Sequence, residues 1–176
     1  GVALMAQYPD QVDIEPIDML SLAAAIANAQ SRFDDALSLS DRALADEADI
    51  ATRRPSLLIE AYRTRARALQ GLGRLEDADR AFDVAIERHT TLIGDRGVRA
   101  MGLHNDHGVL LASLAHYREA IAAYQRSAAI FAAAGGPRPD DDTRYLNNLC
   151  DSYNGLGAYA QALEHCARAV ALMRER

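Results

Sequence analysis

The sequence contains no tryptophan and no lysine, only two cysteines, and only five prolines. Each scarcity closes off a class of protein. Two cysteines are too few for the framework of a disulfide-stapled domain. Cys150 and Cys166 are expected to be buried free thiols that act as small apolar residues, which suits a reducing, cytoplasmic setting. Aromatic residues make up 6% of the chain, and runs of Val, Ile and Thr are few, so there is little from which to build strands. No apolar run approaches the roughly 18 residues of a membrane span, and no signal peptide is evident. With every basic side chain an arginine and a net charge of −6, a general nucleic-acid binder is disfavoured. Arginine without lysine is also the mark of a GC-rich, bacterial coding bias.

What is present is alanine and leucine. They carry most of the 49% apolar content, a mix that favours closely packed helices and is too apolar for a disordered chain. The 176 residues suffice for one domain with a substantial core. Laying the chain on itself shows how that core is organised. Gly73-Arg74-Leu75-Glu76-Asp77-Ala78 recurs as Gly157-Ala158-Tyr159-Ala160-Gln161-Ala162, and halving that offset brings in Ala115-His116-Tyr117-Arg118-Glu119-Ala120. One more step back gives Ser31-Arg32-Phe33-Asp34-Asp35-Ala36. Four copies share one 42-residue register, starting near Ile17, Ile59, Met101 and Thr143.

Within a copy, apolar and small residues recur at the spacing of two amphipathic helices, A and B. In the second copy helix A carries Tyr62, Ala66 and Leu69, and helix B carries Leu75, Ala78, Phe82 and Ala85. Antiparallel helices joined by a short turn approach closely only through small side chains, so Ala66 with Ala78 and Cys150 with Ala162 are the expected contact pairs. Phe82 and Tyr124 are expected to fill the space between hairpins. Gly73 and Gly157 end helix A, because glycine tolerates the left-handed conformation of a helix stop.

The pattern Ala66…Leu69…Gly73…Leu75…Ala78…Phe82…Ala85 resembles the tetratricopeptide repeat, whose usual unit is about 34 residues. Units of 42, with Leu146-Asn147-Asn148-Leu149 and Leu103-His104-Asn105, look like the subclass of kinesin light chains and of bacterial signalling arrays. The resemblance implies an all-α, right-handed α-α superhelix of about four antiparallel hairpins. The expected organisation is one array over 1–176, with repeats 17–58, 59–100, 101–142 and 143–176. Residues 1–16 then hold the end of a preceding helix B and a connector, because Gly1-Val2-Ala3-Leu4-Met5 matches Ala169-Val170-Ala171-Leu172-Met173. On this reading the register runs past both ends, the terminal repeats are uncapped, and self-association through them is conceivable. Ala134-Gly135-Gly136-Pro137-Arg138-Pro139, Gly94 with Gly97, and Thr52-Arg53-Arg54-Pro55 punctuate the connectors. Asp140, Asp141 and Asp142 are expected to cap the last A helix, since their spacing is not that of a calcium loop.

No nucleophile elbow, phosphate loop or dinucleotide fingerprint is present, so the chain reads as non-catalytic and without a cofactor. His104 and His107 stand three apart on helix A of the third copy, with Asp106 and His116 nearby. They occupy positions where the fourth copy has Leu146 and Leu149, and are expected to pack and hydrogen-bond locally, holding no metal. The A helices of tetratricopeptide arrays line a concave surface, and the resemblance implies a protein or peptide partner there, with neither nucleic acid nor membrane. By position, the groove residues are Arg63, Arg67 and Gln70, then Asn105, then Arg144, Asn147, Asp151 and Asn154. Glu60, Val109, Ala112, Ser21, Ala25 and Asn28 complete the exposed face. Asparagine suits such a groove because its amide both donates and accepts, and Arg63, Arg67 and Arg144 offer bidentate pairing with carboxylates. The alternative is a regulatory or sensor segment of a larger bacterial kinase or transcriptional regulator.

Overall fold

The computed structural model describes residues 16–135 and 142–174, and among these it is all helical. The helices are α1 (Pro16–Ala29), α2 (Phe33–Ala43), α3 (Glu47–Arg53), α4 (Pro55–Gly71), α5 (Leu75–Leu92), α6 (Gly97–Ser113), α7 (Tyr117–Ala133), α8 (Thr143–Gly155) and α9 (Tyr159–Arg174). Apart from α3 they pair as four antiparallel hairpins, α1/α2, α4/α5, α6/α7 and α8/α9, stacked in order with each B helix packed on the next A helix. This is the superhelix of about four hairpins that the repeat implies. The match at Gly1–Met5 and the capping roles of Asp140 and Asp141 fall outside the described residues.

The register is held most strictly at the turn inside each hairpin. Helix A closes at Ala29, Gly71, Ser113 and Gly155, and helix B opens at Phe33, Leu75, Tyr117 and Tyr159, each set spaced by 42. Between them one residue is left-handed in every copy: Ser31 (φ 58°), Gly73 (74°), Ala115 (60°) and Gly157 (77°). The next amide reaches back to the last turn of helix A, from Arg74 to the Leu69 carbonyl at 3.0 Å and from His116 to that of Leu111 at 2.9 Å. These bonds satisfy carbonyls that a helix end leaves open and reverse the chain in three residues.

Small residues then let the two helices close. Ala66, Ala78 and Ala85 are fully buried with Phe82, Leu69, Leu103 and Leu110 in the central core. In the third hairpin Gly108 leaves room for the Tyr124 ring, so Tyr124 fills space within its own hairpin as well as toward Leu149 of the next. The register positions of Gly108 and Tyr124 are held in the fourth hairpin by Cys150 and Cys166. These are not the free thiols expected from the sequence: they form a disulfide across the hairpin, with Cα atoms 5.4 Å apart. Antiparallel helices that meet where neither side chain is bulky bring the two sulfurs within bonding reach. The thiol-based argument for a reducing compartment therefore lapses.

Between hairpins, bulk meets absence of bulk. The Phe33 ring occupies the space a Cβ on Gly71 would need, and Tyr117 does the same at Gly155. The first connector holds an element that the repeat pattern does not show, α3. Ile50 of α3 is buried with Ile17, Ala43, Leu58 and Ala61. Its first residue, Glu47, accepts from the Tyr62 hydroxyl at 2.7 Å and pairs with Arg88 at 2.8 Å. Pro55 starts α4 without loss, since the first helical amide needs no partner.

Two outcomes follow for stability. Ala115→Gly should raise stability by about 1 kcal/mol by relieving a left-handed alanine, and Gly73→Ala should lower it similarly, because nothing but backbone strain opposes the added methyl there. Thermal unfolding of the two variants reads both signs. Replacing Cys150 and Cys166 with serine should cost about 3 kcal/mol, the entropy of freeing a loop of that size, and reducing the wild type should give the same shift.

Candidate functional site

The A helices of the first two hairpins pack against each other, whereas α6 and α8 splay apart. A cavity of about 480 Å³ opens between them, with the C-terminal half of α7 as its floor. Its walls carry Arg63 from α4, Met101, Gly102, Asn105 and Asp106 from α6, and Arg144, Tyr145, Asn147 and Asn148 from α8. Asp142 stands at the rim, where it caps α8 by accepting from the Arg144 amide at 2.9 Å.

Of the residues picked from sequence, Arg63, Asn105, Arg144 and Asn147 come together here. Arg67, Gln70, Asp151 and Asn154 do not line the cavity. They lie one and two turns further along the same helix faces, where Arg67, Asp151 and Asn154 are exposed and Gln70 is half-buried. Val109 is exposed, and Glu60, Ala112 and Ala25 are half-buried. The first hairpin contributes least. Ser21 is buried, contrary to expectation, and Asn28 spends its amide donor on the Thr64 carbonyl of the next hairpin at 2.8 Å. The direct packing of α1 on α4 closes that end of the groove.

Arg63 also differs from its expected role. Its guanidinium lies over Gly102, where a Cβ would approach to 3.3 Å, and donates through Nε to Asp106 at 2.8 Å. Its charge is met within the protein, and it clamps the second hairpin to the third. Arg144 is the more exposed of the two, its side chain 87% exposed and only loosely paired with Asp142 at 3.7 Å. Two arginines and two aspartates thus balance, leaving the amides of Asn105, Asn147 and Asn148 as the donors and acceptors of a nearly neutral cavity. The floor residues Ser127, Ala128 and Phe131 were missed because only A helices were considered. A signal was available in Gly102, a glycine inside a helix at the position of Glu60 and Arg144, where its helix cost calls for a reason.

No family model matches the sequence, and no curated protein matches it. Solved structures do match. BtubC (BKLC) from P. vanneervenii superposes with a TM-score of 0.80 at 21% identity, over 99% of this chain and 70% of that one. A Podosopora anserina structure of kinesin light chain, nearly identical TPR-like repeats, gives 0.75 at 15% identity, over 92% and 78%. This is a tetratricopeptide-repeat fold. A Rap protein complexed with Competence and Sporulation Factor also matches the tetratricopeptide stack, with a TM-score of 0.72 at 20% identity, but the chain spans only 45% of that protein.

His104 and His107 serve the joints of the stack. His104 bonds through Nε2 to Asp95 at 2.9 Å, and the other Asp95 oxygen accepts from Arg126 at 2.6 Å, tying the loop after α5 to α6 and α7. Burial pushes the Asp95 carboxyl up, but the His104 and Arg126 hydrogen bonds win and hold it below the usual range. His107 bonds Asp79 at 2.7 Å and stacks on Phe82 with centroids 5.6 Å apart, joining the second hairpin to the third. Among the described residues no group of three or more His, Cys, Asp or Glu could hold a metal ion, and no helix is long and apolar enough to cross a membrane.

His89 is buried at 2% exposure and its Nδ1 has no partner. Burial lowers its pKa, reinforced by His104 and Arg99 and opposed by Asp95. Below the ordinary histidine pKa of about 6.5 the unfolded chain takes up a proton that the folded chain refuses. Stability should therefore fall as pH drops through and below that point, by at most about 1.4 kcal/mol per pH unit from this group. His89→Leu should flatten the slope, which urea titrations at a series of pH values would measure.

Proposed function

We propose that the chain is a non-catalytic interaction module that holds an extended peptide segment of a protein partner along the cavity between α6 and α8. The observation that carries this reading is the cavity itself: about 480 Å³, open, electrically balanced, and walled by three asparagine amides. An extended peptide carries alternating backbone donors and acceptors that need partners when it leaves water. An asparagine amide supplies both at once and tolerates any side-chain sequence. Ala128 keeps the floor low enough for a backbone to come close, and Phe131 and Tyr145 offer apolar surface for a side chain. The hairpin stack fixes α6 and α8 before binding, so little ordering entropy is lost when a ligand arrives.

Arg144 is the residue most available for a ligand carboxylate, because Arg63 is already engaged with Asp106. Arg67, Gln70, Asp151 and Asn154 extend the same helix faces beyond the cavity and would contact only a longer ligand.

Peptides selected from a random displayed library against the immobilised chain provide the test. Asn105→Ala with Asn147→Ala should weaken a selected peptide by at least about tenfold in titration calorimetry, the worth of one to two lost hydrogen bonds, with helicity unchanged. If selected peptides bind the double variant as tightly as the wild type, the ligand does not lie in this cavity.

A further inference from the structure

We propose that the disulfide between Cys150 and Cys166 is a redox switch on the cavity between α6 and α8, the oxidised chain holding its peptide more tightly than the dithiol form. The inference rests on the reading of that cavity as the peptide site, and adds a regulator to it.

Each hairpin has one equivalent crossing point, and the register shows what stands there. On helix A the residues are Ala24, Ala66, Gly108 and Cys150; on helix B they are Ser40, Phe82, Tyr124 and Cys166. In the first three hairpins the A-helix residue carries nothing beyond a Cβ, so the crossing holds a single larger side chain. Ser40 turns its hydroxyl to the Ala36 carbonyl of its own helix at 2.7 Å, Phe82 is fully buried, and the Tyr124 ring lies where a Cβ on Gly108 would stand. Among the described hairpins only the fourth brings two γ atoms face to face.

The two sulfurs share that space because a bond joins them. Bonded sulfurs sit about 2 Å apart, whereas unbonded heavy atoms stand roughly 3.5–4.0 Å apart. At a crossing whose Cα atoms are 5.4 Å apart, two free thiols therefore do not fit as the disulfide does. Parting them takes about 1.5–2 Å, found by moving the helices or by forcing rotamers that a packed helix disfavours. Asn147 stands one turn before Cys150 and Asn148 two residues before it, both in the cavity wall. Any share of the displacement taken by α8 re-aims them, and a shift of roughly 1 Å carries an amide out of hydrogen-bonding range. The Tyr153–His165 stack, with centroids 5.3 Å apart, spans the same hairpin and keeps α9 attached once the bond is gone.

The reductant is a dithiol. Its thiolate attacks one sulfur of the pair, forms a mixed disulfide and expels the other cysteine as a thiolate. Its second thiol then closes the reductant's own disulfide and releases the first cysteine. Two electrons pass to the protein, and two protons end on Cys150 and Cys166. The coupling is mutual: a peptide that prefers the oxidised chain by some factor makes the disulfide harder to reduce by that same factor.

A peptide selected against the oxidised chain, with dithiothreitol as reductant, tests the switch. Calorimetry should show binding weakened about tenfold by dithiothreitol, as expected for one to two lost hydrogen bonds. In a dithiol–disulfide buffer, saturating peptide should shift the protein toward its disulfide by the same tenfold, about 30 mV for a two-electron couple. Cys150→Ala with Cys166→Phe copies the crossing of Ala66 and Phe82, and should bind as the oxidised chain does whether or not dithiothreitol is present. Equal affinity of oxidised and reduced chains, with Asn105→Ala and Asn147→Ala still weakening the peptide, overturns the switch and leaves the cavity reading standing. A peptide that binds the oxidised chain regardless of Asn105 and Asn147 overturns the cavity reading and the switch with it. A double cysteine variant that still responds to dithiothreitol also overturns the switch, because the reductant then acts elsewhere.

Discussion

The stack depends on the left-handed residue that reverses the chain inside each hairpin. It fixes where helix A stops and helix B starts, and so decides which residue of one helix faces which residue of the other. Ser31, Gly73, Ala115 and Gly157 all take this conformation, two of them without the freedom of glycine. That the conformation persists at Ser31 and Ala115 shows that tertiary packing over-determines it there. A shift of one residue would turn Ala66 and Ala78 out of the hairpin contact and open the core they close with Phe82.

From that turn the joints between hairpins follow. Aromatic rings at the start of helix B find glycines at the end of the next helix A, and buried or half-buried polar pairs bridge the same seams. Arg63 with Asp106, His107 with Asp79, and Glu47 with Tyr62 and Arg88 each tie different elements. Partly exposed ion pairs add little stability on their own, so their main effect is to set orientation. Between the third and fourth hairpins α6 and α8 stand apart, and the gap is the cavity. The disulfide between Cys150 and Cys166 matters here because it holds α8, one wall of the cavity, to α9.

Much of this was legible in the sequence. The repeat register named the turn inside each hairpin, the helix-stopping glycines and the contact of Ala66 with Ala78, because each depends on local spacing. It also singled out Arg63, Asn105, Arg144 and Asn147, since residues at one register position share one face. It could not separate them from Arg67, Gln70, Asp151 and Asn154, which share those faces but lie beyond the gap. Nor could it show α3, whose sequence has no counterpart in the other repeats, or the floor that Phe131 and Ser127 provide.

Sequence alone therefore determined the architecture: helices from alanine and leucine spacing, hairpins from the turn signature, and a stack from the repetition of both. Only the tertiary structure decided what the named residues are free to do. Arg63 is engaged by Asp106, Asn28 by Thr64, and the two cysteines by each other. The reason is physical. Helix and turn formation are set by neighbours a few residues apart, whereas the partner of a side chain is set by the crossing of helices some sixteen to forty-three residues apart along the chain.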